Sequence, residues 1–338
     1  MRGLRHGQFC PPSGAWVRQG RARTVIFLVA LLGLGASTGG CGHPSPKVGQ
    51  ASDRRTRPAE IVATVDLGAA AAPTALARLS DGRLAIGDRL TGRIVAVDVA
   101  RPEAPVPVAT VDVGDHVNGQ RGLLGLVAVD GDLYASWTRG SDGRVVVGQV
   151  APGGQRGVWT GPRSADLANG GHLAVDGDRR ILIGIGDLMD PKRIDDSDAP
   201  NGKILALDPD GRPGQEPTVL SAGWNNPYAF TVLPDGNVWV ADNAPGGRAE
   251  RLGRGDGDSD RRDLPDKRAP SALIALGAHR LGMCGYLDGD LVEVELAPTP
   301  TLGDTLAEGT CRTGAVTLGH GLLAVSDGKV VRILRPRR

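Results

Sequence analysis

Three segments hold most of the side chains that could do chemistry: DHVNGQRGLLG (115–125), ANGGHLAVDGDRRILIGIGD (168–187) with its extension to NGKIL (201–205), and GWNNPYAFTVLPDGNVWVADNAPGGRAERL (223–252). An imidazole is the usual proton acceptor near neutral pH, so His172 and His116 are candidates for a general base. His279 and His320 stand at turn positions and are expected to be structural or solvated. The run RGDGDSDRRD (254–263) alternates Asp256, Asp258 and Asp260 as an EF-hand loop does. Its twelfth position is Lys267 instead of glutamate, so a solvated loop is the better reading. Trp224 and Trp239 could stack on a sugar ring, although tryptophans in a β repeat more often fill the core. No G-x-S-x-G, H-E-x-x-H or phosphate-binding loop occurs, and hydrolase, zincin and nucleotide-binding readings lack support.

These segments must be positioned by a repeated β architecture. From residue 60 onward the sequence returns six times to a β-rich run, a glycine turn, a second run and a third, as in ARLSDGRLAIGDRLTGRIVAVDV and AFTVLPDGNVWVADN. Asp-Gly followed by alternating β-formers is a hairpin signature. The chain has 51 glycines and 24 prolines spread along it and only 3% aromatics, which suits many turns between short strands. No connection reads as a crossover helix, so a parallel β/α fold is disfavoured. The spacing of the repeats predicts an all-β, six-bladed β-propeller over residues 59–338, with two β-sandwiches as the alternative. The run EIVATVDL (60–67) is free to close the ring as an outer strand of the last blade. In a propeller, ligands are held at one mouth of the central channel by the loops that break the repeat.

In order along the chain, RGLLG, NGGHL, IGD, NGKILALDPDG, GWNNP and NAPGG resemble motifs of the soluble quinoprotein glucose/sorbosone dehydrogenases and aldose sugar dehydrogenases. The resemblance implies a sugar-oxidising propeller that binds pyrroloquinoline quinone (PQQ) at the channel mouth beside a calcium ion. A histidine would act as base on the sugar while hydride passes to the quinone. Gln120 matches a residue near substrate, and Asp187 the aspartate ending a strand of the following blade. Asn225 and Asn226 fall in the cofactor-binding motif, and Arg312 aligns with a late arginine that holds PQQ. Ala244 and Pro245 match the turn whose carbonyls face calcium, and Glu250 the acid after it.

Several positions depart from that pattern. The base histidine falls on Ala168, an arginine on Asn225 with Trp224 before it, and a calcium-site aspartate on Ala249. A later lysine falls near Asp288 and a second arginine near Thr310. His172 could replace the base, yet it lies four residues beyond Ala168, roughly 13 Å away if the chain is extended. The resemblance therefore implies a sugar dehydrogenase with an altered site. Alternatives are a binding propeller without enzymatic activity, and a calcium-dependent lactonase-like propeller using Asn226, Asp242 and a glutamate.

The N-terminus reads as an export signal. Arg18, Arg21 and Arg23 precede an apolar run, Thr24 to Ala36, too short to span a bilayer as a mature helix. The following STGGC resembles a lipoprotein signal with Cys41 as the lipidated residue, although Thr38 stands where leucine is usual. The expected organisation is a signal over 1–41, a flexible tether over 42–58 and then the propeller, in a periplasmic or cell-surface lipoprotein, with ordinary cleavage and secretion as the alternative. Cys284 and Cys311 then remain together in an oxidising compartment, where a disulfide is the natural state and two buried thiols the alternative. The net charge of +1 gives no field for gripping nucleic acid. The expected partners are a sugar or other small molecule, and a membrane through the anchor.

Overall fold

The computed structural model describes residues 45–56, 58–115, 117–256 and 260–337. Residues 1–44, with the expected signal and Cys41, lie outside them, as do His116 and Asp258. The described chain is a six-bladed β-propeller. Each blade begins with an innermost strand: Pro73–Arg78, Leu123–Val129, Gly170–Val175, Ala229–Val232, Pro270–Gly277 and Gly314–Gly319 in blades 1 to 6. Neighbouring innermost strands touch around the full ring. The second strands, such as Ile181–Ile185 and Val238–Asp242, are buried throughout because both sheet faces pack on other blades. That explains their continuous apolar runs in place of polar alternation.

Closure follows the expected route. Glu60–Asp66 pairs antiparallel with the last strand, Val330–Arg335, so the ends of the domain share blade 6. The joint leaves blade 6 without an unpaired third strand. The fourth, outermost strands of the other blades escape the repeat pattern in the sequence. Arg101–Thr110, for example, is mostly exposed and contains three prolines, since it is an edge strand with one bonded side.

Part of the expected tether is not loose. Gly49–Gln50 adds to blade 5 as a parallel fifth strand against Thr301 and Leu302, and Val48 is buried among the side chains between blades 4 and 5. The amide of Val48 donates to the Asp263 carbonyl at 2.9 Å, and Arg54 donates to the Gly303 carbonyl at 2.9 Å. Residues 46–56 therefore form a strap along the outer edge. A buried valine and free edge hydrogen-bonding groups on the outermost strands outweigh the polar composition that suggested flexibility.

Candidate functional site at the channel mouth

The start of each innermost strand pairs with the end of the second strand: Pro73 with Asp88, Gly170 with Ile185, Ala229 with Ala241, Pro270 with Gly285. The loops entering the blades and the loops between second and third strands therefore emerge at one end of the channel. Gln120, Ala168, Asp187, Asn225, Asn226, Ala244, Pro245, Glu250 and Arg312 all lie in these loops or at their ends. His279 and His320 sit in first hairpins, at the opposite end.

Blades 2 to 4 contribute one continuous hydrogen-bonded floor. The Gln120 side-chain oxygen accepts the Ala168 amide at 2.7 Å, and the Asn226 side-chain oxygen accepts the Gly170 amide at 3.0 Å. Asp187 is 1% exposed; its carboxylate accepts the Met189 amide at 2.9 Å and Arg248 Nη2 at 3.1 Å. Arg248 Nη1 also donates to the Asn225 side-chain oxygen. Asn225 in turn donates through its side chain to Asp242 at 2.8 Å. Asp242 further accepts the amides of Asn225 and Asn226, each at 2.8 Å, and Arg251 Nη2 at 2.6 Å. The structure thus brings together Gln120, Asp187, Asn225 and Asn226. It adds Arg248, Arg251 and Asp242, of which only Asp242 figured in a sequence reading.

The backbone here is held in unusual conformations. Ala168, Leu188 and Met189 have φ of 55°, 55° and 63°, a region that costs residues with a side chain about 1–3 kcal/mol each. The Asp187 carboxylate holds this corner, and a Cβ on Gly186 would collide with the Ala168 carbonyl oxygen. Met189, next to Asp187 in this corner, is exposed. Leu167, Tyr286 and Leu287 are the other large exposed apolar side chains on this face, so the floor has an apolar rim.

Other sequence candidates are placed differently. His172 lies on the innermost strand of blade 3, its ring 5.1 Å from that of Phe230 and 5.8 Å from that of Tyr228. Burial draws its pKa down to about 4, with a hydrogen bond to the Phe230 backbone acting weakly against it. A general base works best with a pKa near the working pH, so this imidazole is poorly matched to proton abstraction. The Tyr228 hydroxyl donates to the Leu124 carbonyl at 2.9 Å, bridging from the entrance of blade 4 to blade 2. Arg312 does not join the floor. Its guanidinium clasps the blade 5 turn, donating to the carbonyls of Tyr286, Leu287 and Asp288 at 2.7, 3.0 and 3.2 Å. Trp224 and Trp239 are core residues, Trp224 lying under the Arg261 guanidinium at 3.9 Å.

Two of the three expected calcium residues, Ala244 and Glu250, are engaged by protein donors. Lys267 Nζ donates to the Ala244 carbonyl at 2.6 Å and lies 3.9 Å from Glu250 Oε1. The Glu250 carboxylate accepts the amides of Arg268 at 2.8 Å and Ala269 at 3.1 Å. Burial raises its pKa, and the Arg268 amide and Lys267 act in the opposite direction. Among the described residues no three or more His, Cys, Asp or Glu side chains form a group able to hold a metal.

The sequence matches the family model of the glucose/sorbosone dehydrogenases over residues 70–251, more than half of the chain. The chain belongs to the glucose/sorbosone dehydrogenase family. Among solved structures it is similar to a PQQ-bound aldose sugar dehydrogenase from Streptomyces coelicolor, at 23% identity and a TM-score of 0.67, over 81% of this chain and 96% of that one. A putative oxidoreductase (glucose dehydrogenase) from Thermus thermophilus gives 24% and 0.67, over 80% and 99%. The soluble aldose sugar dehydrogenase of Escherichia coli, in its apo form, gives 20% and 0.66, over 82% and 99%. At these identities the likenesses establish the propeller fold. A search of curated proteins returns no significant match.

PQQ carries three carboxylates, whose recognition calls for guanidinium or ammonium groups. Arg248 is paired with Asp187, Arg312 with three carbonyls and Lys267 with Ala244. The residues present do not fit the quinone in the manner the family motifs imply. The sequence signal that could have revealed Arg248 was the GGRAER run directly after the Ala244–Pro245 turn.

Proposed function

We propose that this family member is an exported, membrane-anchored binding propeller that takes a sugar or similar small polar ligand at the channel mouth without oxidising it through PQQ. The observation that carries this reading is Ala168. It occupies the position of the base, its amide is committed to Gln120, and its carbonyl accepts the Leu188 amide at 3.1 Å. Nothing on its methyl side chain can take a proton, and His172, half-buried beside the rings of Tyr228 and Phe230, has its pKa drawn down to about 4. The polar floor with its apolar rim suits a molecule that offers hydroxyl groups on one side and carbon faces on the other.

The test is titration of the purified protein with excess PQQ, with and without calcium, followed by sugar-dependent dye reduction. No change in quinone absorbance and no reduction above background is the expected result. Saturable quinone binding with sugar-dependent turnover would overturn the proposal. It would favour a dehydrogenase with relocated cations, a second reading supported by Arg248 standing beside Asn225. The lactonase-like reading is disfavoured because Asp242 already accepts from two amides, a side-chain amide and a guanidinium.

The anchor rests on Cys41 and the segment before it. The disulfide between Cys284 and Cys311 supports an oxidising compartment. The strap starts at Pro46, whose carbonyl accepts the Asp263 amide at 2.9 Å. Labelling with a radioactive fatty acid should mark the protein and be lost in Cys41→Ala; label retained in that variant would exclude this anchor.

A further inference from the structure

We infer that the Lys267 ammonium is the resident cation of the Ala244–Glu250 loop and makes the mouth independent of calcium. This deepens the proposed function, since it describes the same mouth. A calcium ion needs six to eight oxygen ligands at about 2.3–2.6 Å. Of the Ala244 and Pro245 carbonyls and the Glu250 carboxylate that the family pattern assigns to calcium here, only the Pro245 carbonyl is without a protein donor among the described residues. Ala249 has no side-chain oxygen. The Glu250 carboxylate is 3% exposed at residue level, and both of its oxygens accept backbone amides from Arg268 and Ala269. The Ala244 carbonyl faces an ammonium at 2.6 Å.

Lys267 supplies what a metal would supply there, positive charge between a carbonyl and a carboxylate, from the chain itself. Its attachment is firm. The next two residues donate their amides to Glu250, and the Leu264 amide donates to the Glu250 carbonyl at 2.7 Å. The ammonium is therefore delivered by a segment that Glu250 itself anchors, with Ala269 held at a φ of 50° to complete the turn. A cation and a metal cannot share this space, because an ammonium already in contact with the carbonyl repels a divalent ion. The side chain is 41% exposed, so the charge also faces the mouth and would attract an anionic group on a ligand.

The experiment measures thermal unfolding of the whole purified chain, wild type and Lys267→Met, in EDTA and in calcium at about 10 mM, above the range in which extracellular calcium modules bind. Wild type should melt at the same temperature in both. Lys267→Met should melt about 2–4 °C lower in EDTA, and calcium should leave that loss in place, because Ala249 offers no ligand and the Glu250 oxygens stay committed to amides. Stabilisation of wild type by calcium would overturn the inference. So would a Lys267→Met protein that melts like wild type, or one whose loss calcium restores. If that variant does not fold, calorimetric titration of wild type decides: no saturable calcium heat supports the inference and saturable heat sinks it. The outcome is separable from the PQQ test, because a protein that binds quinone could still be calcium-independent, and one that ignores quinone could still bind calcium.

Discussion

Asp242→Ala is expected to destabilise the protein by about 3–5 kcal/mol, the range for leaving a buried charge without its partner. Asp242 is fully buried and stands at the end of the second strand of blade 4. Its two oxygens accept the amides of Asn225 and Asn226, the Asn225 side chain and Arg251 Nη2. Removing the carboxylate orphans three donors of Asn225 and Asn226 in a buried place and strips Arg251 of its ion pair, leaving it the Gly223 carbonyl. The damage should extend to the mouth, because Asn225 links Asp242 to Arg248 and Arg248 holds Asp187. Asp242→Asn keeps the shape but replaces one acceptor by a donor, and should recover only part of the loss. Urea unfolding of both variants measures the effect, with Arg251→Met completing a double-mutant cycle that should show strong coupling. A loss below about 1 kcal/mol for the alanine variant would mean that the loop rearranges to satisfy itself, and that the floor is not a fixed platform.

The second large effect is expected at Cys284 and Cys311. Their disulfide joins the second strand of blade 5 to the entrance of blade 6 across 27 residues. The chain-entropy relation for a loop of that length gives about 3–4 kcal/mol. Both cysteines are fully buried, and a side-chain core surrounds them, so the paired alanine variant also loses some packing. The Cys311 amide donates to the Gly289 carbonyl at 2.7 Å, and Arg312 clasps the same turn. Exposed Tyr286 and Leu287 are thus presented by a turn fixed by a covalent link and a guanidinium. Urea unfolding with and without reductant should show the wild-type midpoint falling to that of Cys284→Ala, Cys311→Ala, with the variant indifferent to reductant. Equal midpoints in all samples would show that the link adds nothing to stability.

The role of Arg312 separates what can be read locally from what cannot. Its position after Cys311 aligns with a cofactor arginine, yet its guanidinium is spent on carbonyls 24 to 26 residues earlier. Arg248, which the alignment passed over, reaches Asp187 across 61 residues of sequence. Long flexible cations are placed by whichever acceptors the fold brings within reach, and those acceptors come from different blades. Lys267 is the same case: as the twelfth residue of an acidic run it looked like a failed calcium ligand, and folded it meets the Ala244 carbonyl.

The blade number and the closing strand were legible because hairpins are encoded by neighbours. Asp-Gly turns and buried β runs recur within each unit, and Glu60–Asp66 is a β run with no unit of its own. The outer strands and the strap were not legible, since an edge strand needs no apolar alternation and Val48 alone anchors the strap's interior side. By itself, then, the sequence determined a six-bladed propeller and an alanine at position 168, both properties of residue type and local spacing. Only the tertiary structure decided that Arg248, Lys267 and Arg312 at the mouth are engaged by the protein's own groups, because each contact closes between loops separated in the chain and adjacent only in the fold.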